Sequence, residues 1–350
     1  MALGSFKFLP KSFLGVDIGT STIKIVELSR WGARKSLKNY AEMRSEVLYE
    51  KPFRTAEKSS LLLSSKDIAR AMRGMLQEAK IKTRQAVFSI PDLSSFFTRF
   101  ELPAMSKEEL PEAVQYEARK HVPLPFSEVT FDWQIVNKKR LGSSEESIKI
   151  LMVAVPNELI SQYQEIAALT NLELWALEAE VFGLIRSSLH EEKETVALLD
   201  IGAQSTTINV VQQGQLESSR SIDLGGGDFS ERIAQSLSID RQAAERKKTT
   251  EGLSSEQLTT VLAPLLDTVV TEINRVEEEV RGEKINKVVL GGGSSLLKGL
   301  PGYFQEVLHR EVELIDPFRS VFYPPVLEDI IKEMGPAYAV AVGMALRGLE

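Results

Sequence analysis

The sequence predicts an α/β protein assembled from two related halves. Strand-like hydrophobic runs alternate with helical ones along the chain. The stretch "FLGVDIGTSTIKIVEL" (residues 13–28) also returns as "VALLDIGAQSTTINVV" (residues 196–211). Both read as an apolar strand, Asp-Ile-Gly, small hydroxyl residues and a second apolar strand. At 350 residues and 43% apolar content, the chain can bury a sizeable core in two or three domain-sized units.

Residues 14–50 read as a run of strands with a turn at Trp31-Gly32. Residues 67–80 place Ile68, Met72, Met75, Leu76 and Ala79 on one helical face, and 86–90 form a buried strand. Residues 94–136 look self-contained, with strands flanking a helix that Ser106 and Glu109 open as a capping box. Pro111 falls one turn inside that helix, at the expected cost of a hydrogen bond. Pro123 and Pro125 stop it near His121. Residues 138–147 are a solvated hairpin tip. Residues 156–169 and 174–189 read as helices, and Thr195 opens a second set of strands. Residues 226–284 are mostly helical, with a surface-facing helix over 272–282 that Gly282 ends. A strand at 287–290, a turn at "GGGSS" and helices at 296–308 and 336–349 complete the chain.

The repeated turn suits a polyphosphate. Gly19 and Gly202 let main chain approach an anion closely, and turn N–H groups can form a concave anion nest. Ser21 and Thr22 in one turn, and Ser205 and Thr206 in the other, add hydroxyl donors. Asp17 and Asp200 stand at strand ends, where they can hold a hydrated Mg²⁺. Lys24 follows Asp17 by one strand and can reach phosphate oxygens. "DLGGGDF" (residues 223–229) joins a strand to a helix N-terminus, and "VVLGGGSSLLKGL" (residues 288–300) repeats that design. Between them Glu245 and Lys248 lie one helical turn apart, spaced to meet a ribose and a base.

This order of motifs resembles the actin/Hsp70/sugar-kinase ATPase superfamily. Within it the chain is most similar to the PilM family, the actin-like proteins of type IV pilus assembly related to the cell-division protein FtsA. The segment "SIPDLSSFFTRFELPAMSKEELPEAVQYEARKHVPLPFSEVTFDWQIV" (residues 89–136) discriminates most, because Hsp70s and sugar kinases lack that insertion. The resemblance implies an actin-like, ribonuclease-H-like duplicated fold of two lobes with an FtsA-type inserted subdomain. It places the first lobe core at 1–90 and 170–195, and the inserted partner-binding subdomain at 91–169. The second lobe core falls at 196–225 and 285–350, with its helical subdomain at 226–284.

By motif match, Gly19, Thr20, Ser21 and Lys24 would meet phosphates from the first lobe, and Gly202, Gln204, Ser205 and Thr206 from the second. Asp17 and Asp200 would face the waters of Mg²⁺ and contribute to any catalysis. Gly225 and Gly226 would line the phosphate–ribose region, Glu245 and Lys248 the ribose and base, and Gly291, Gly292, Gly293 and Ser294 the adenine. Glu180 matches the residue that places the attacking water in related ATPases. Val181 stands where that family often has Pro, so the match can slip to Glu178, and either Glu can instead simply cap the helix start. The resemblance implies ATP and Mg²⁺ binding with weak or no hydrolysis.

The implied partner is the N-terminal cytoplasmic tail of a PilN-like inner-membrane protein, held beside the inserted subdomain, with pilus motor components as further contacts. Phe96, Phe97, Phe100, Leu102, Val122, Leu124, Phe126 and Phe131 are the candidate groove or core residues there. A net charge of −7 without a long basic run argues against nucleic acid, and the absence of cysteine excludes a disulfide scaffold. No apolar run is long enough to span a bilayer, so membrane contact should come through the partner, giving a cytoplasmic, peripheral location. Residues 1–13 read as a lead-in or sheet edge, with Phe6, Phe8, Leu9 and Phe13 as the alternative membrane-touching residues. An actin-like component of type II secretion or an FtsA-like cytoskeletal ATPase is the alternative function. A small-molecule kinase would need an acceptor-site Asp that the sequence does not offer. His121, His190 and His309 are scattered without metal-ligand spacing.

Overall fold

The computed structural model describes residues 11–45, 64–139, 147–189, 194–280 and 284–350. Residues 1–10, most of the expected hairpin tip (140–146), His190 and Gly282 lie outside the described residues.

The first half runs β1 (Lys11–Ile18), β2 (Thr22–Trp31), β3 (Arg34–Arg44), α1 (Ser65–Glu78) and β4 (Gln85–Ile90). It continues through β5 (Phe96–Pro103), α2 (Leu110–Ala118), β6 (Val129–Lys139), β7 (Ser147–Pro156), α3 (Asn157–Thr170), β8 (Glu173–Ala179) and α4 (Glu180–Ser188). The second half runs β9 (Thr195–Ile201), β10 (Thr206–Gln212), β11 (Gln215–Ile222), α5 (Gly226–Leu237), α6 (Arg241–Thr250) and α7 (Glu256–Glu279). It ends with β12 (Lys287–Gly291), α8 (Leu300–Leu308), β13 (Glu311–Leu314) and α9 (Glu328–Leu349).

The duplication visible in the motifs extends to whole sheets. One sheet has the order β3-β2-β1-β4-β8 and the other β11-β10-β9-β12-β13. In each, a three-stranded antiparallel meander is followed by two parallel additions. The central strands β1, β4 and β9 are continuous apolar runs because helices cover both faces. Helices α1 and α3 close one face of the first sheet around Ile68, Met72, Tyr163 and Ile166. Helices α5, α7 and α8 close the second around Phe229, Leu262, Ile273 and Phe304. The opposite faces share one core with α4 and α9.

That shared core is built on bare main chain. A Cβ on Gly15 would lie 1.8 Å from the Ala341 carbonyl oxygen, and one on Gly343 would lie 2.0 Å from that of Gly183. Only glycine permits such approach of strand to helix and helix to helix. The C-terminal helix therefore returns to the first sheet, although the motif order places 285–350 wholly in the second lobe.

Inserted between β4 and β8 of the first sheet is a third sheet, β5-β7-β6, with α2 on it and a core of its own: Phe100, Leu102, Val114, Val122, Ile150 and Met152. The expected boundary at 169 runs past this unit, since α3 packs its Leu159, Tyr163 and Ile166 into the first lobe. Packing places the division near Pro156. Of the groove candidates, Phe100, Leu102 and Val122 are core, while Phe96, Leu124, Phe126 and Phe131 pack half-buried against that core. Phe97 turns to the opposite face and meets Phe182 of α4 edge-on at 6.4 Å.

Several local expectations are corrected. Residues 174–179, expected to be helical, fall in strand β8. Their Leu, Ala and Glu favour a helix, but the parallel slot beside β4 overrides propensity. Pro111 costs nothing, because α2 begins at Leu110 and the ring sits in the first turn, where an N–H has no helical partner. The Ser106–Glu109 box lies one step outside, with the Ser106 N–H donating to the Glu109 carboxylate (2.9 Å). Helix α7 ends at Glu279, before Gly282, α8 begins at Leu300 rather than 296, and α9 begins at Glu328 rather than 336. Phe13 is fully buried in the shared core and touches no surface.

Candidate functional site

The two Asp-Ile-Gly turns have the same backbone geometry. The Gly19 N–H donates to the Thr22 carbonyl at 2.9 Å, and the Gly202 N–H donates to the Ser205 carbonyl at 2.9 Å. Each turn lies at the carboxyl end of its sheet's central strand, where open α/β sheets bind ligands. The closing bond consumes one amide per turn and leaves those of Thr20, Ser21 and Ala203 outside it.

In the first turn, Asp17 pairs across the hairpin with Lys24 in register. Both are nearly buried. Ser89, at the end of β4, donates to Asp17 Oδ1 (2.8 Å), and Lys24 Nζ donates to Thr22 Oγ1 (2.7 Å). The Lys24 ammonium also lies 5.9 Å from the Tyr338 ring centroid on α9. Burial, with Glu42 beside it, pushes the Tyr338 phenol far above its ordinary range, so it stays a neutral donor.

In the second turn, neighbouring loops take the place of a lysine. The Gly226 and Gly227 N–H groups donate to the Gly202 and Ala203 carbonyls (2.9 and 2.7 Å), and Ser294 Oγ donates to the Gly202 carbonyl (2.8 Å). Thr206, expected on the phosphates, is fully buried and its hydroxyl donates to the Leu224 carbonyl (2.7 Å). It ties the hairpin to the glycine loop. Gly225, Gly226 and Gly292 are likewise fixed by close packing of the loops, while Gly291 leaves room for the Ile315 and Leu184 side chains. A Cβ on Gly225 would lie 2.7 Å from Gln204 N, and one on Gly226 2.2 Å from Ser294 Oγ. One on Gly292, where φ is +85°, would lie 2.3 Å from Asp200 Oδ1. Gly293 alone among the four expected adenine contacts is exposed, with open space around it.

Lys248 is buried, and its ammonium donates to the Gly226 carbonyl, Ser230 Oγ and Glu245 Oε2, each at 2.8 Å. Ser230 also donates to Glu245. Burial pushes the Glu245 carboxyl up, but Lys248, Ser230 and, across the cleft, Arg44 of β3 hold it below its ordinary value. The Arg44 field thus reaches from one lobe to the other.

Glu180 opens α4 and is nearly buried, its carboxylate accepting the Asp92 N–H (3.2 Å) while Asp92 Oδ1 accepts the Val181 N–H (3.1 Å). Glu178, the alternative match, is held differently. It forms a two-pronged pair with Arg186 (2.6 and 2.8 Å) on the side of the chain's C-terminal residues.

These groups fit a nucleotide with Mg²⁺. Among the described residues no cluster of three or more His, Cys, Asp or Glu can hold a metal unaided. A cation between Asp17 and Asp200 would complete its shell with water and phosphate oxygens, as Mg²⁺ does. A cavity of about 260 Å³ adjoins the second turn, lined by Ala203, Gln204, Gly227 and Arg241 together with Asp223, Asp228 and Glu231. Ser89, Tyr338, Arg44 and Asp92 were missed in the sequence. A lone Ser in the apolar run "AVFSI" was the one available signal.

Residues 15–349 match a family model described as type IV pilus assembly protein PilM. The chain belongs to the PilM family. A solved structure described as the PilM-PilN type IV pilus biogenesis complex superposes with a TM-score of 0.83 and 27% identity, over 96% of this chain and 98% of that one. FtsA of Bacillus subtilis (strain 168), a cell division protein, is 33% identical over 156 residues, 37% of this chain and 36% of that protein. FtsA of Rhizobium meliloti (strain 1021) is 28% identical over 182 residues, 43% of this chain and 39% of that protein. The chain thus spans 36–39% of the length of these curated relatives. MreB 5 of Spiroplasma citri, in a structure with AMPPNP, shares the fold at a TM-score of 0.54 and 12% identity, over 96% of this chain and 95% of that one. The actin-like two-lobed fold expected for the PilM family is the one observed. No helix among the described residues is long and apolar enough to cross a membrane.

Proposed function

We propose that this PilM-family chain binds ATP with Mg²⁺ between its two Asp-Ile-Gly hairpins and acts as a cytoplasmic scaffold of type IV pilus assembly. The observation that carries the reading is the matched pair of turns, each closed by the same Gly N–H bond. Lys24 and the outlying amides of Thr20, Ser21 and Ala203 would hold phosphates, and Asp17 and Asp200 would orient the cation's waters. A bound nucleotide supplies polyphosphate charge that both lobes engage at once, which favours the closed arrangement by mass action. Glu180 is committed to the Asp92 main chain, which supports binding with weak or no hydrolysis.

The likeness to the PilM-PilN complex supports the cytoplasmic tail of a PilN-like membrane protein as partner, and hence a peripheral place at the inner membrane. Its proposed seat is a cavity of about 290 Å³ beside the inserted sheet. Gln134 of β6, Phe182 and Ile185 of α4, and Leu216 of β11 line it. Calorimetry in Mg²⁺ buffer should show ATP binding, and turnover should stay below the order of 1 s⁻¹ typical of enzymes. No heat of binding refutes the nucleotide site, and fast turnover refutes the scaffold reading. Phe182→Ala should abolish capture of the PilN-like tail while sparing ATP binding; undiminished capture refutes the seat.

A further inference from the structure

The inserted sheet meets the second lobe at a polar contact. Arg99 of β5 donates from Nη1 to the Leu216 carbonyl (2.9 Å) and pairs with the Glu217 carboxylate. The two side chains are only 17% and 20% exposed, so solvent screens them weakly. Glu217 is placed there by an irregularity of its own strand. Val210 pairs with Ser218 and Val211 with Leu216, so Glu217 has no opposite residue on β10. It is the extra residue of a β-bulge, a device that re-aims a side chain out of the sheet's alternation.

Strand β11 has two ends with different neighbours. At Leu216 and Glu217 it holds Arg99 and borders the cavity beside the inserted sheet. At its other end it runs through Ile222 and Asp223 into Leu224, Gly225 and Gly226, which are bonded to Thr206 and Gly202 of the hairpin. Beside it, Asn209 is fully buried on the face it shares with Leu198. Neither its Oδ1 nor its Nδ2 has a hydrogen-bond partner among the described residues. A buried amide left so raises the energy of the arrangement. A shift of β11 that gave it a partner would be favoured by that relief.

We infer that the Arg99–Glu217 bridge is a strut that transmits the state of the nucleotide cleft, along β11, to the inserted subdomain. Arg99 acts as a positioning residue in this device and touches no ligand. The inference rests on the nucleotide reading proposed above. Closure of the glycine loop on phosphate pulls one end of β11, and the strut carries the displacement into β5. The coupling is reciprocal, so an occupant of the cavity beside Leu216 must change nucleotide affinity by the factor that nucleotide changes its own.

Hydrogen exchange of the full-length chain with and without MgATP tests this. In the unaltered protein MgATP should slow exchange in both hairpins and also in β5 and β7, by roughly threefold or more. Arg99→Ala and Glu217→Gln should each bind MgATP within about twofold of the unaltered protein, as expected of sites without ligand contact. They should protect the hairpins normally and lose the MgATP-induced change in β5. The change, not the absolute rate, is the readout, so general loosening of β5 does not mimic it. The exchanged pair Arg99→Glu with Glu217→Arg should restore it. Protection of the hairpins with no change in β5 of the unaltered protein overturns this inference alone. A retained β5 response in both single variants also overturns it. No slowing anywhere overturns the nucleotide reading, and this inference with it.

Discussion

The two hairpins share one backbone turn and differ in everything that supports it. The first places Lys24 opposite Asp17, and the second places Thr207 opposite Asp200, with its hydroxyl bonded to Ser221 (2.9 Å). The first hairpin is therefore the charged half, braced by Ser89 and by Tyr338 of α9. The second is the close-packed half, enclosed by two glycine loops and a serine. Duplication preserved the turn, and each lobe then acquired a different means of holding it. Equivalent residues in the two lobes should accordingly fail in different ways.

The largest effect should come from the packed half. Gly292→Ala forces a side chain into a left-handed backbone against Asp200 and should lower stability by roughly 2–4 kcal/mol, read as the denaturant midpoint. Gly293→Ala, one residue on in open space, should change it by under about 0.5 kcal/mol. Similar losses at both positions would break the comparison. Next comes the charged half. Lys24→Met keeps the buried stem and removes the ammonium, so calorimetry should show ATP affinity falling at least about tenfold while the midpoint barely moves. Thr206→Val should do the reverse, costing about 1 kcal/mol of stability through the lost Leu224 bond and little affinity.

The smallest effect is a pH dependence. Because the folded Glu245 carboxyl is held below its ordinary value, its contribution is complete above about pH 4.5 and is lost as pH falls through the lowered folded value. Its side chain is nearly half exposed, so the contribution should stay under about 1 kcal/mol. Acid titration of the unfolding midpoint should show the gap between the unaltered protein and Glu245→Gln closing below that pH.

What could be read in the sequence follows from how local each signal is. The hairpins, the amphipathic face of α1 and the Ser106–Glu109 box are written within a few residues, and the structure has each of them. Strand β8 was not legible, because "ELWALEA" carries helix-forming residues and only its slot beside β4 makes it extended. The roles of the glycines were legible in type but not in purpose. "GGGD" and "GGGS" promised backbone exposed to a ligand, whereas Gly226 and Gly292 yield their space to Ser294 and Asp200. The contacts between distant segments were invisible: Glu180 meets Asp92 across 88 positions within the first half, and Arg99 meets Leu216 across 117, between the inserted sheet and the second lobe. No short pattern records a partner that distant.

The return of α9 to the first sheet also sets the order in which the molecule can be made. Residues 11–31 emerge early in synthesis, yet the packing of Gly15 and Phe13 is not complete until Ala341 and Gly348 arrive. One face of the first sheet must then wait, half-finished, while the whole second lobe is translated. Truncation before α9 would leave two incomplete halves rather than one complete lobe.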